Sequence, residues 1–440
     1  MTTRATDDGP FMKPRHEDQA PGTGGRGAPG PARQTPARQT DTAHPRLAVF
    51  STLFPNAAEP NAGLFIRERM FRVGRTLPLV VVAPVPWFPF QGLIRRFRPH
   101  FRPPVPRIEH QNGFAIHHPR FLSVPGLFKS LDGLLLALGT WPLMKRLKRE
   151  FGFDIIDAHF AYPDGYGAGL LARWLGVPLT ITLRGTEARL VREPWARRRI
   201  TAALGRATRI FAVSGSLLEL AAGLGIARSK LRVMANGVDT AKFTPEPRAR
   251  ARSSLSLPGE APVLVSVGAL VERKGFHRVI DCLPALRRRF PGLQYLMVGG
   301  ASPEGDMTGV LREQVQRLGL EDTVRFVGPL APERLRIPLS AADVFVLATR
   351  NEGWANVFLE AMACGLPVVT TDVGGNREVV ARDELGTVVE FGDHQALCDA
   401  LARALSRQWD RQAIQAYARA NSWETRIDAL TRELVAVHTT

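Results

Sequence analysis

Two carboxylates, Glu352 and Glu360, stand with seven residues between them in the stretch RNEGWANVFLEAMACGLPVVTTDVGGNRE, residues 350–378. An apolar run at 344–348 reads as a buried strand. Residues 355–364 read as a short helix, ended by Gly365 and kept from returning by Pro367, and 368–369 begin the next strand. Strand, helix and strand in so short a span make a βαβ unit of a parallel sheet. Ligands of such sheets sit at the carboxyl ends of the strands, where helix N-termini offer free N–H groups to anions. Gly353, Asn356 and Val357 fall at that position. Carboxylates beside an anion cradle suit a polyol, because they accept hydrogen bonds from hydroxyls.

Other strand exits carry matching chemistry. The loop GALVERKG, residues 268–275, follows an apolar run at 263–267. Gly268 permits close backbone approach there, and Arg273 and Lys274 are suited to pairing with a diphosphate. In the first half of the chain, IIDAH ends in His159, and the run at 179–183 exits into Arg184-Gly-Thr-Glu187. His159, Arg184 and Glu187 are thus expected on one edge, facing a cleft. The signatures GxxxxGK[ST], GxSxG and HExxH are absent, and the first βα loop lacks GxGxxG. Mononucleotide P-loop, serine-hydrolase, zinc-protease and dinucleotide oxidoreductase chemistry are therefore disfavoured.

The elements that position these residues alternate strand and helix twice. Residues 46–242 form one α/β half, 243–262 a proline-containing connection, and 263–412 a second half. Residues 413–440 form a helical tail that could brace the first half. Such an order predicts two Rossmann-like, doubly wound parallel sheets facing across a cleft. Residues 1–45 are Pro-, Gly- and Arg-rich, with the repeat PARQTPARQT, and read as a disordered tail.

Composition bounds the rest. The 440 residues carry a net charge of +17, with 45% hydrophobic and 22% charged residues. A basic surface suits nucleic acid, anionic membranes or phosphorylated substrates, but the arginines are spread along the whole chain, and no nucleic-acid module is present. The segment 84–107 interleaves Trp87, Phe88, Phe90, Phe97 and Phe101 with Arg95, Arg96, Arg98, Arg102 and Arg107. It reads as a long irregular segment whose basic–aromatic interleaving suits a membrane interface, a nucleic-acid groove or a surface loop tucked under its own aromatics. No apolar run spans a bilayer and no signal-peptide core is seen, which points to a cytoplasmic chain, peripheral at the inner face of the membrane. Cys282, Cys364 and Cys398 show no CxxC spacing and read as reduced, buried thiols, without a disulfide or a zinc site.

The segment EGWANVFLEAMACGLPVVTTDVGGNRE, together with ANGVDTAKF (235–243), SVGALVERKG (266–275), LMVGG, VRFVGPL and AADVFVLAT, resembles the retaining GT-B glycosyltransferases of family 4, also called glycosyltransferase group 1. The resemblance runs from about residue 47 to the C-terminus. It implies sugar transfer from a nucleotide-sugar donor, UDP- or GDP-linked, to a polysaccharide or lipid-linked acceptor in cell-surface glycan synthesis, with no cofactor and no metal. It places Lys274 and Arg273 on the donor diphosphate, Glu352 on the sugar, and Glu360 on the ribose. It places the N–H groups near Asn356 and Val357 on the diphosphate, His159 beside the transferred sugar, and Gly63 where a loop approaches the phosphates. Two positions depart from the family pattern. Ala269 stands where an arginine is common, leaving Arg273 to supply the charge, and Arg184 stands where histidine is common. A sugar-nucleotide epimerase or hydrolase of the same fold, or a basic nucleic-acid-binding protein, are the alternative readings.

Overall fold

The computed structural model describes residues 44–97, 101–302 and 304–439. Most of the basic tail, and Arg98 of the aromatic–basic segment, lie outside the described residues.

The first half contains β1 (Leu47–Phe50), β2 (Leu79–Val82), β3 (Val85–Trp87), β4 (Ile108–Gln111), β5 (Phe114–His117), β6 (Arg120–Leu122), β7 (Ile155–His159), β8 (Leu179–Leu183), β9 (Arg209–Ala212) and β10 (Leu231–Val233). Eight of these form one sheet in the order β10-β9-β8-β7-β1-β2-β5-β4. Every pair in it is parallel except β4 with β5. The central strands are buried along their whole length because helices cover both sides, so they read as largely apolar runs with few polar residues. The second half contains β11 (Val263–Val267), β12 (Gln294–Val298), β13 (Val324–Gly328), β14 (Val344–Leu347), β15 (Val368–Thr371) and β16 (Gly386–Val389). They form a wholly parallel sheet in the order β13-β12-β11-β14-β15-β16. Two mainly parallel sheets with helices on both faces are the architecture expected from the sequence.

Three expectations need correction. The segment 84–107 is not wholly irregular: β3 pairs with β6 in a two-stranded ribbon, and Gln91–Phe97 is a helix. Residues 248–254, inside the expected connection, are helical, and Ala251 and Leu257 join the core of the second sheet. Cys282 and Cys398 are not free thiols. They are disulfide-bonded across 116 residues, with their Cα atoms 5.3 Å apart, because the Phe276–Arg289 and His394–Ser406 helices pack side by side. Cys364 is free and buried.

The chain closes on itself through its last helix. Val238 N–H donates to the Asn421 carbonyl and Trp423 N–H donates to the Val238 carbonyl, carrying the chain back to the first half. The Trp423–His438 helix then buries Trp423, Leu430, Leu434 and Val437 beside β1, β2 and the Leu64–Val73 helix. This places residues from both ends of the sequence behind one wall of the cleft.

Candidate active site

β11 and β14 are neighbours at the centre of the second sheet, so their exit loops meet. The β11 exit turns through Gly275, at φ 75°, where an added Cβ would collide with the Ala348 carbonyl. That turn sends Arg273 and Lys274 over the end of β14. Lys274 Nζ pairs with Glu352 Oε1, and Arg273 Nη1 lies 3.3 Å from the same oxygen. Thr349 Oγ1 approaches it at 3.5 Å. Arg273 therefore reaches the Lys274–Glu352 pair, although Ala269 carries no charge. Glu304 grips the Arg273 guanidinium with two bonds of 2.9 and 2.7 Å, which raises the guanidinium pKa and lowers that of the Glu304 carboxyl. Glu304 was not foreseen, because it lies in a loop with no motif.

On the facing wall, β7 and β8 deliver His159 and Arg184. Arg184 Nη2 donates to His159 Nδ1 at 3.0 Å, and Arg184 Nη1 donates to Asn236 Oδ1 at 2.8 Å. Asn236 Nδ2 then donates to Asn356 Oδ1 at 2.9 Å, at the N-terminus of the Asn356–Ala363 helix. A continuous hydrogen-bonded chain thus joins the end of β7 to the N-terminus of the Asn356–Ala363 helix of the other sheet. Asn236 is, with Glu304, a residue that sequence reasoning missed. It sits in the stretch ANGVDTAKF, but only the fold shows that it spans the two halves.

His159 does not face open space as expected. It is fully buried behind Arg184, with Nε2 3.6 Å from Asp157 Oδ2. Burial, and then the charges of Arg184 and Arg69, hold the imidazole pKa well below its ordinary value, so the ring is neutral. It accepts from Arg184 through Nδ1 and carries its proton on Nε2. Arg69, also buried, faces Asp157 from behind, and burial pushes its guanidinium down to about 10. Glu187 is likewise inside the wall. Its carboxylate accepts from the backbone N–H groups of Ala161, Arg184 and Gly185 at 2.9, 3.2 and 2.9 Å, fixing both strand exits.

The two walls touch backbone to backbone. A Cβ on Gly185 would lie 2.7 Å from Gly353 Cα, and one on Gly353 would strike the Arg184 carbonyl. Around this seam lie three cavities. One of about 300 Å³ is lined by Leu53, Arg184, Gly185, Arg273, Glu352 and Gly353 among others. A second of about 530 Å³ adds Arg189, Arg192 and Arg350. The third, about 200 Å³, holds Phe65, Glu68, Lys242, Asn356 and Glu360. Gly63, at φ 69°, starts the Leu64–Val73 helix between Leu53 of the first cavity and Leu64 of the third. Its missing side chain leaves room for the Leu53 carbonyl, 2.5 Å from where a Cβ would stand. Gly268 lies beside the Lys274 side chain. Val357 follows Asn356 in the first turn of its helix, where N–H groups lack an intrahelical acceptor.

With this geometry in view, the comparisons with known proteins are direct. The family model "Glycosyl transferases group 1" matches residues 247–421, and "Glycosyltransferase Family 4" matches residues 91–242. The D-inositol 3-phosphate glycosyltransferase of Corynebacterium urealyticum is 32% identical over 62% of this chain and 69% of its own length. The GDP-mannose-dependent alpha-(1-6)-phosphatidylinositol monomannoside mannosyltransferase of Mycobacterium tuberculosis is 36% identical over 51% of this chain and 59% of its own. Among solved structures, sucrose-phosphate synthase from Thermosynechococcus elongatus superposes with a TM-score of 0.72 at 21% identity, covering 89% of this chain and 99% of that one. Anabaena HepE in complex with UDP gives 0.68 at 21% identity, covering 89% and 100%. The chain is a GT-B glycosyltransferase. It belongs to glycosyltransferase group 1, family 4.

Glu360 offers a test of the third cavity. Burial pushes its carboxyl up to about 7, with Lys242 opposing and Glu68 adding to the rise. An unfolded carboxyl titrates near 4.5. Between those values the folded state holds the proton more tightly, so this group's contribution falls as pH rises through the window. Glu360→Gln, always neutral, is expected to raise the melting temperature relative to the parent at pH 8 and to leave it nearly unchanged at pH 4. Equal effects at both pH values contradict the assignment.

Proposed function

We propose that the chain is a retaining transferase that moves a hexosyl group from a UDP- or GDP-sugar to an anionic, lipid-linked or growing polysaccharide acceptor in cell-surface glycan synthesis. The observation that carries this reading is the pairing of Lys274 and Arg273 with Glu352, four residues before the N-terminus of the Asn356–Ala363 helix. Two cations and a free helix end are what a departing nucleoside diphosphate requires. UDP bound to HepE and the GDP-mannose dependence of the mycobacterial relative support a nucleotide sugar of one of these two kinds.

In this reading the donor lies along the seam. Lys274 and Arg273 neutralise the diphosphate, and the Asn356 and Val357 N–H groups donate to its oxygens. Glu360 accepts from the ribose hydroxyls in the third cavity, and Glu352 from the hydroxyls of the sugar. As the anomeric carbon–oxygen bond breaks, its electron pair leaves on the diphosphate. The acceptor oxygen adds on the same face of the sugar, and its proton passes to the departing phosphate oxygen. Charge stabilisation thus comes from the chain's own cations, and no metal is assigned a role. Arg184 lines the wall facing Glu352, and His159 positions Arg184 through its neutral Nδ1. Glu187 holds the loop that presents Arg184.

The second cavity favours an anionic acceptor. Arg273 and Arg350 of the second half pair there with Glu304 and Glu272, while Arg189 and Arg192 of the first half give the lining its excess of positive charge. No helix among the described residues is long and apolar enough to cross a membrane. Exposed aromatic residues support a peripheral membrane reading instead. Phe90 and Phe97 at either end of the Gln91–Phe97 helix are 86% and 82% exposed, and Phe128, before the Asp132–Glu150 helix, is 68% exposed. Arg95 and Arg96 share the first of these helices. Apolar side chains flanked by arginines match an anionic bilayer surface, on the inner face of the membrane where nucleotide sugars are available.

Two outcomes test the proposal. Lys274→Ala and Glu352→Gln are each expected to lower kcat by about 100-fold or more in a nucleotide-sugar transfer assay, with the melting temperature little changed. Near-normal turnover in both contradicts the site, and donor consumption without any acceptor favours hydrolysis or epimerisation instead. Co-sedimentation with phosphatidylglycerol vesicles is expected for the parent and lost in Phe90→Ser/Phe97→Ser; a parent chain that stays in the supernatant contradicts the membrane surface.

A further inference from the structure

Away from the seam, the Phe276–Arg289 and His394–Ser406 helices bring together two sulfurs and an imidazole. Cys282 and Cys398 are buried and disulfide-bonded. His394 lies one helical turn before Cys398. Its Nε2 is 3.5 Å from Cys398 Sγ, and its Nδ1 is 3.9 Å from Cys282 Sγ. The three donor atoms all lie within 4.8 Å of one another. His394 is exposed, and it lines a cavity of about 250 Å³ together with Arg278, Asp281, Glu390 and Asp393. None of the three donors takes part in the glycosyl site described above.

A disulfide that only staples two helices needs no imidazole against its sulfurs. Two cysteine thiolates and a histidine nitrogen are, however, three of the four ligands that a zinc-class cation takes tetrahedrally. The open cavity beside His394 gives a cation an entry path and leaves the fourth position to water. We propose that Cys282, Cys398 and His394, once the disulfide is reduced, form a binding site for one soft divalent cation of the zinc class.

The chemistry balances in two steps. A thiol reductant supplies two electrons and two protons, becoming a disulfide itself while Cys282 and Cys398 become thiols. The cation then displaces both thiol protons, and His394 donates a ring-nitrogen lone pair. The same residues therefore hold either a disulfide or a metal ion, and never both.

Cobalt(II) is the probe, because its thiolate complexes absorb in the near ultraviolet. The full chain is reduced with a phosphine, freed of reductant without oxygen, and titrated. The expected result is a thiolate-to-cobalt absorption that saturates at one equivalent per chain and is displaced by Zn²⁺. It is lost in Cys282→Ser and Cys398→Ser, weakened in His394→Ala, and kept in Cys364→Ser. Melting curves of the variants confirm that each is folded, and the cobalt titration of His394→Ala keeps the test valid if a cysteine variant is not. A reduced chain with no such absorption, a signal that survives Cys282→Ser, or a pair that stays oxidised under the reductant overturns the proposal.

Discussion

The site depends on one backbone contact that leaves no room for a side chain. Gly353 lies against the Arg184 carbonyl and Gly185, so the exit loops of β8 and β14 meet directly. Glu352 is the residue before Gly353, and Arg184 the residue before Gly185. The contact therefore brings the Glu352 carboxylate and the facing Arg184 guanidinium to the same cavity. Larger residues at these places would hold the walls apart, and proximity is where much of the rate of a two-substrate reaction comes from.

Electrostatics sets what each wall can do. The first-half wall buries Arg69, Arg184 and His159 around a single Asp157. Burial and like charge keep His159 neutral, so it can accept a hydrogen bond and orient Arg184 without adding a further cation. On the second-half wall, Lys274 and Arg273 share Glu352, and Arg273 is further paired with Glu304. These pairings hold the cations in place before an anion arrives, so little reorganisation is left for the bound state.

Much of this was legible in the sequence, for physical reasons that differ by element. β7, β8, β11 and β15 were read at their observed bounds because strands covered on both faces are short, β-branched and mostly apolar segments between turn residues. β4 escaped because IEHQ is an exposed-edge strand with little apolar content, and β3 because Pro86 sits in its middle. The second-half groups at the donor position lie in one βαβ unit and its neighbouring loop, so short-range spacing was enough to find them. The first-half wall was harder. His159 was located at the right strand exit but placed in the open, because spacing cannot show that Arg184 would cover it. Asn236 and the Gly185–Gly353 contact are products of tertiary packing and leave no local pattern. The same holds for Cys282 and Cys398, which are 116 residues apart and lie on different helices.

The central claim is that the seam, not either half alone, makes the enzyme. The most direct measurement is nucleotide-sugar binding and transfer by Gly353→Ala, compared with the parent. Because the donor cations and the helix N-terminus belong to one half, the variant is predicted to retain nucleotide affinity within about tenfold while its transfer rate falls by about 100-fold. A variant that transfers at the parental rate would contradict the account.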